Sequence, residues 1–226
     1  MRLSSGRAGK GERRAVHHPV FARYYARISV GAETRFGMAG LRERLLAGLS
    51  GRVIEIGAGN GLNFAHYPAD VAEVVAIEPE PLLRQLALES ALRAEVPVDV
   101  VPGTAEALPV KSEAFDAAVL SLVLCSVRDV ERALGEVRRV LKPGGQVRFF
   151  EHGRGGGPVM ALTQRALDRT LWPVVSGGCH LARDPVAALR RAGFELGPLR
   201  QVLVPEKGPV LPSSFCTLGT AWRPAA

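Results

Sequence analysis

Cysteine is scarce in this 226-residue chain: there are three, Cys125, Cys179 and Cys216, with no C-x-x-C among them. An odd, widely spaced set argues against a disulfide framework or a structural zinc ribbon and fits a reducing, cytoplasmic setting. Long apolar runs are also lacking. The longest strongly apolar stretch, Ala117 to Val127, has 11 residues, whereas a bilayer crossing takes about 20, so no transmembrane helix is expected. No apolar run follows the basic first 18 residues, so they do not read as a secretory leader. Lysine is rare: 4 of the 29 basic residues, the rest being arginine, a bias that fits a GC-rich bacterial genome. Aromatics make up 6%. None interleaves the basic residues before Phe21, as a nucleic-acid-binding arm would require.

Charge is unevenly placed. Residues 1–50 hold 10 basic and 3 acidic side chains, and residues 51–226 hold 19 of each. The net charge of +7 therefore sits in the N-terminal part, and the body offers no long track for phosphates. Residues 1–18 read as a basic, disordered tail, residues 19–50 as a helical cap and residues 51–226 as one domain. Within the cap, Phe21, Tyr24, Tyr25 and Ile28 follow the i, i+3, i+4, i+7 rhythm of one apolar helix face. A second helix is predicted over Glu33–Leu49, ended by Gly51.

Past Gly51 the text alternates. Strands are predicted at 52–56, 73–77, 97–101, 115–122 and 146–150, with helices after the second strand and over 129–141, the latter stopped by Pro143-Gly144-Gly145. Short apolar runs separated by amphipathic helices make βαβ units and a parallel sheet. The fourth run is apolar enough to be covered on both faces. The last third reads as helices near 162–171 and 185–192 and strands near 195–204 and 214–222.

The first strand runs into Glu55-Ile56-Gly57-Ala58-Gly59-Asn60-Gly61, and a helix is expected to follow. Closely spaced glycines after a strand permit a tight turn and let a ligand approach the backbone. Glu78 lies 21 residues past Gly57, at the end of the second strand, where a carboxylate can accept both hydroxyl hydrogens of a ribose. A dinucleotide loop reads G-x-G-x-x-G. Here Leu62 stands where the third glycine would fall, and Glu55 would repel a pyrophosphate but suits a cationic amino group. S-adenosylmethionine is a nucleoside with an ammonium and no phosphate.

Glu55-x-Gly57-x-Gly59-x-Gly61, Glu78-Pro79, the run from Gly103 to Pro109, Phe115-Asp116 and the run from Arg139 to Gly145 together resemble the motifs of class I S-adenosylmethionine-dependent methyltransferases. The resemblance implies an α/β, Rossmann-like, seven-stranded, mostly parallel sheet of order 3-2-1-4-5-7-6 with helices on both faces. It also implies a cofactor site made by Glu55, Gly57, Ala58, Gly59, Gly61, Glu78, Pro79, Thr104, Ala105, Glu106, Ser121 and Leu122. Many relatives carry Asp where this chain has Thr104, so the adenine amino contact can fall to a backbone group.

A narrower resemblance, to thiol S-methyltransferases of the methyltransferase-like proteins, lies in Ser121–Val127, Glu151-His152 and Gly178–Asp184, with Gln164, Asp168 and Trp172 at similar offsets. Such relatives carry a hydrophobic anchor that this sequence does not spell out, so membrane attachment is not implied. Candidate catalytic residues are His152, His180 and Cys125. His152 reads as a general base or a loop side chain, and Cys125 as a pocket thiol or a small buried hydrophobe. Cys179-His180 alone is a poor metal pair, and no metal is expected. His17, His18 and His66 read as surface residues. The partner expected is a small-molecule acceptor, with a thiol first. A quinone-like phenol or natural-product precursor is the alternative, and a nucleic acid reached by the basic arm is the next. A nicotinamide oxidoreductase or a non-catalytic relative fits the motifs less well.

Overall fold

The computed structural model describes residues 19–225. The basic tail expected over residues 1–18, with His17 and His18, lies outside them. In chain order the elements are α1 (Pro19–Arg35), α2 (Met38–Leu46), β1 (Gly51–Ile56), β2 (Val71–Ile77), α3 (Pro81–Ala91), β3 (Val98–Val101), β4 (Phe115–Ser121), α4 (Val130–Val140), β5 (Leu141–His152), α5 (Pro158–Asp168), α6 (Trp172–Val175), α7 (Pro185–Arg191), β6 (Glu195–Leu203) and β7 (Phe215–Trp222). The seven strands form one sheet of order β3-β2-β1-β4-β5-β7-β6. Strands β1 to β5 pair in parallel, and β7 runs antiparallel to both β5 and β6. This is the expected Rossmann-like sheet.

Successive strand residues point to opposite faces, and each face buries its own layer. On one, Ile54, Ile56, Ala118, Leu120, Val147 and Phe149 pack with Leu134 and Val137 of α4 and Leu189 of α7. On the other, Val53, Val74, Val119 and Phe150 pack with Leu41, Leu45 and Leu46 of α2. Helix α4 starts where the Asp129 side chain accepts the Arg132 N–H at 3.0 Å, and its last turn carries Arg138 and Arg139, both favoured by the helix dipole. Helix α7 is capped likewise by Asp184, with Pro185 in its first turn.

Several local expectations change. The helix predicted over Glu33–Leu49 is two helices, because Gly37 takes a left-handed φ of +69° between α1 and α2. Gly51 opens β1 instead of closing that helix. The helix expected after the glycine loop is only one 3₁₀ turn, Phe64–His66. Strand β5 takes in Pro143-Gly144-Gly145, so the chain passes from α4 to β5 at Val140–Leu141 without a loop. Helix α6 was not predicted; it is a single turn that opens with Trp172-Pro173.

Because β1 continues to β2 on one side while β4 flanks it on the other, the connections diverge at the carboxyl ends of β1 and β4. In open α/β sheets that divergence leaves a crevice for ligands.

Candidate active site

The glycine loop closes the end of β1. Gly57 and Gly61 have φ of +70° and +77°, a region where side chains are strained. A Cβ on Gly57 would lie 2.7 Å from Val123, and one on Gly61 would lie 2.6 Å from Phe64. The loop's donors are turned inward. Gly57 N–H and Ala58 N–H donate to the Ile77 carbonyl at 2.8 and 3.1 Å, and Gly61 N–H donates to Ala58 O at 3.0 Å. A pyrophosphate needs outward N–H groups, so this loop suits a ligand without phosphate.

Glu78 follows β2 and is buried. Its Oε2 accepts the Gly59 N–H at 2.7 Å and its Oε1 accepts the Glu80 N–H at 2.9 Å. Burial pushes its pKa up to about 7 against the pull of those two N–H groups. Pro79 lies beside it, half-buried, and the Pro79 and Glu78 carbonyls both accept from Arg84.

Glu55 sits behind the loop, 2% exposed. Its oxygens accept from Asn63 Nδ2 at 2.8 Å and Tyr67 OH at 2.7 Å. Asn63 Oδ1 in turn accepts from Arg42 at 2.7 Å, and Arg42 pairs with Glu33 of α1 at 3.0 Å. Burial raises Glu55 to about 7 as well. A polar chain thus links the cap, through α2, to the acid at the end of β1.

Helix α1 lies over the loop. Tyr25 faces Gly59, whose added Cβ would stand 3.4 Å from the ring. Ser29 Oγ accepts from Asn60 Nδ2 at 3.1 Å. Phe21 stacks on Tyr25 with centroids 5.7 Å apart and crowds Gly177. The buried face of α1 therefore runs through Ala22, Tyr25 and Ser29, not along the whole expected stripe: Tyr24 and Ile28 are 58% and 46% exposed. His66, expected at the surface, is half-buried 3.9 Å from Glu43.

Beyond β3, Ala107 N–H donates to Thr104 O at 3.1 Å, closing a turn that buries Ala105. Glu106 accepts the Arg128 N–H at 2.9 Å and so ties this turn to the start of α4. An open cavity of about 650 Å³ runs from Glu106 to Glu136 along α4, on a wall that holds none of the loop glycines.

On the acceptor side β4 ends at Ser121, and Leu122 takes a left-handed φ of +59°. For a leucine this is strained backbone, which persists where surrounding contacts impose it. Those contacts come from Glu151, which is fully buried. Its carboxylate accepts the N–H groups of Val123, Leu124 and Cys125 at 2.8, 2.9 and 3.3 Å. Burial holds Glu151 at about 7 despite these bonds. In the sequence Glu151 was visible only as a neighbour of His152; the signal that could have found it is a carboxylate directly after the apolar pair Phe149-Phe150 in a sheet strand.

His152 ends β5 beside Cys179, with Nδ1 3.4 Å from Sγ. Burial acts to lower its pKa, but the Cys125 thiol and the Glu151 charge outweigh that and leave it raised. The Cys125 thiol is pushed well above its usual value, first by Cys179 beside it and then by burial. His180 is tied to the backbone: its N–H donates to Cys125 O at 2.8 Å, and its Nδ1 lies 2.8 Å from Gly178 O. Asp168 accepts the N–H groups of Leu181 and Ala182, Gln164 bridges Gly153, Gly155 and Pro212, and Arg183 donates to the carbonyls of Leu124 and Val127. Trp172 packs against Cys125, Cys179 and Leu181. Among the described residues, its Nε1 is the buried side-chain N or O atom without a hydrogen-bond partner.

Among the described residues the donor set fits a nucleoside without phosphate: a buried acid, Glu78, at the end of β2 and a glycine turn whose N–H groups are spent inside the protein. A family profile described as a methyltransferase domain matches residues 54–149. The human thiol S-methyltransferase TMT1A is 36% identical over 167 residues, covering 70% of this chain and 67% of the relative. The ubiquinone/menaquinone biosynthesis C-methyltransferase UbiE of Syntrophotalea carbinolica is 32% identical over 184 residues, covering 77% of this chain and 76% of that one. The chain belongs to the class I S-adenosylmethionine-dependent methyltransferases. A solved S-adenosylmethionine-dependent methyltransferase from Thermotoga maritima superposes on this methyltransferase with a TM-score of 0.66, at 26% identity, over 90% of this chain and 98% of that one. The methyltransferase spans about two thirds of the length of the thiol S-methyltransferases it matches. Among its described residues, no helix is long and apolar enough to cross a membrane.

Proposed function

We propose that the methyltransferase methylates the sulfur of a small, partly apolar thiol. The cofactor supplies a methyl group already activated on a sulfonium. Glu78 holds the ribose hydroxyls, Pro79 and the turn at Thr104, Ala105 and Glu106 border the adenine, and Gly57, Ala58, Gly59 and Gly61 admit the methionine part. Glu55 orders the loop beneath that part through Asn63 and Tyr67 and supplies negative potential toward its ammonium. Ser121 and Leu122 close the crevice from β4.

The observation that carries the thiol reading is that, among the described residues, the polar groups around Cys125 and His152 are already engaged, leaving no free carboxylate beside them. Glu151 is engaged by three N–H groups. His152 Nδ1 is engaged by Cys179 Sγ at 3.4 Å. Cys125 Sγ is buried against Leu122 O and Ser126 Oγ at 3.5 and 3.4 Å. An acceptor that ionises unaided suits such surroundings, and thiols, with pKa of about 8.5, are that class. The named thiol S-methyltransferase relatives support the same reading. The UbiE relative favours carbon methylation of a quinone-like phenol as the second reading.

A screen of adenosylhomocysteine release across thiols, phenols and amines separates the two. The expected result is turnover of a thiol, with a rate that climbs toward that thiol's own pKa. Rapid turnover of a phenol with every thiol ignored would overturn the thiol assignment.

A further inference from the structure

Cys125, His152 and Cys179 follow one another at intervals of 27 residues. Folding brings one ligand atom of each within 4.8 Å of the other two. Each comes from a separately braced support. Cys125 lies on the turn that Glu151 grips, and His152 terminates β5. Cys179 precedes the Leu181-Ala182 backbone that Asp168 holds. The two cysteines are 2% and 5% exposed. A cavity of about 90 Å³ borders Cys125 and His152 and is also lined by Leu124, Arg183 and Asp184.

We propose that Cys125, Cys179 and His152 bind a zinc ion, with a fourth position turned to this cavity. Two sulfurs and an imidazole are ligands that zinc favours, and three protein ligands with an open position form a recognised zinc set. Zinc bonds of about 2.3 Å to sulfur and about 2.0–2.1 Å to nitrogen place tetrahedral ligand atoms roughly 3.5–3.8 Å apart. The His152–Cys179 separation of 3.4 Å is already close to that. Charge balances too: two thiolates and a neutral imidazole cancel the dication, so the buried site is neutral. On binding, two zinc–sulfur bonds and one zinc–nitrogen bond form. The thiol protons, and any second imidazole proton, leave to solvent, and nothing is oxidised. The ion would tie the segment before α7, including Gly177 under Phe21, to the sheet's carboxyl edge. Sequence spacing concealed the set because metal motifs are recognised from ligands close in the chain. Cys216, opposite His152 across the β5–β7 pairing, stands outside it.

The test uses the full chain, purified under reducing conditions, stripped with a chelator and titrated with Co²⁺ as the probe. The expected result is uptake of one equivalent, with thiolate-to-cobalt charge transfer and the intense visible bands of four-coordinate cobalt, both bleached by Zn²⁺. Cys125→Ser and Cys179→Ser should each weaken the charge transfer and lower zinc affinity at least tenfold, while Cys216→Ser should leave both unchanged. X-ray absorption of the zinc-loaded wild type should show two sulfur ligands, a reading that stands even where a variant fails to fold. Absence of uptake, a weak six-coordinate spectrum, a shell without sulfur, or a Cys125–Cys179 disulfide in place of the metal would each overturn the proposal.

Discussion

Glu78 accepts the backbone N–H of Gly59 at 2.7 Å, so the acid that ends β2 is fastened to the loop that ends β1. The contact joins two neighbouring parallel strands at their carboxyl ends, where the proposed adenosyl site lies. It also orients a carboxylate that burial alone would leave poorly solvated.

Replacing Glu78 with alanine is expected to weaken adenosylmethionine and adenosylhomocysteine binding by about 1.5–3 kcal/mol, the usual worth of hydrogen bonds to a charged group. That is a loss of roughly 10- to 150-fold in Kd. Titration calorimetry reads it directly, and an unchanged Kd would remove Glu78 from the ribose.

Gly57→Ala combines two costs: a left-handed φ of +70° and a Cβ 2.7 Å from Val123. Left-handed backbone costs an ordinary residue about 1–2 kcal/mol. Urea denaturation should show a lower midpoint at unchanged slope. In the Val123→Ala background the same substitution should cost less, because the clash is gone and only the strain remains. Equal costs in both backgrounds would refute the contact.

Glu55, Glu78 and Glu151 all have pKa values raised from 4.5 to about 7. Between these values the folded protein holds more protons than the unfolded chain, so stability falls as pH rises. The contribution is full below about pH 4.5 and is lost as pH climbs through about 7. Glu55→Gln should flatten the pH dependence of Tm across that window; a slope identical to wild type would show that Glu55 does not titrate there.

Tyr25→Ala should speed cofactor dissociation several-fold in stopped-flow, because Tyr25 covers Gly59. Tyr24→Ala, one residue earlier and 58% exposed, should leave the rate alone. Equal effects from the two would mean that α1 packs by a different face.

The sheet was legible because its signals are local. An apolar run such as Ala117–Leu120, set among alternating strand and helix signals, fits a central strand covered on both faces, and a glycine turn with an acid 21 residues past Gly57 needs no distant partner to be recognised. The face of α1 was less legible. Phe21, Tyr24, Tyr25 and Ile28 fit a helical stripe, but Asn60 and Gly59 select Ala22, Tyr25 and Ser29, and those partners lie over 30 residues away. The apolar positions that marked the second helix, Leu41, Leu45, Leu46 and Leu49, all lie beyond Gly37, so they say nothing of where it starts.

Composition and period thus determined by themselves the α/β class, the order of strands along the chain, and the place of the glycine loop and of the acid after the second strand. They could do so because burial on two faces and a glycine turn each leave a mark within a few residues of chain. Tertiary structure alone decided that Glu151 braces the turn after β4, that the Glu33–Arg42–Asn63 chain reaches Glu55, and that Cys125, His152 and Cys179 converge. Each of these is a pairing of polar or sulfur groups across long loops. It becomes favourable only once the sheet has excluded water around it, so no local rhythm in the sequence records it.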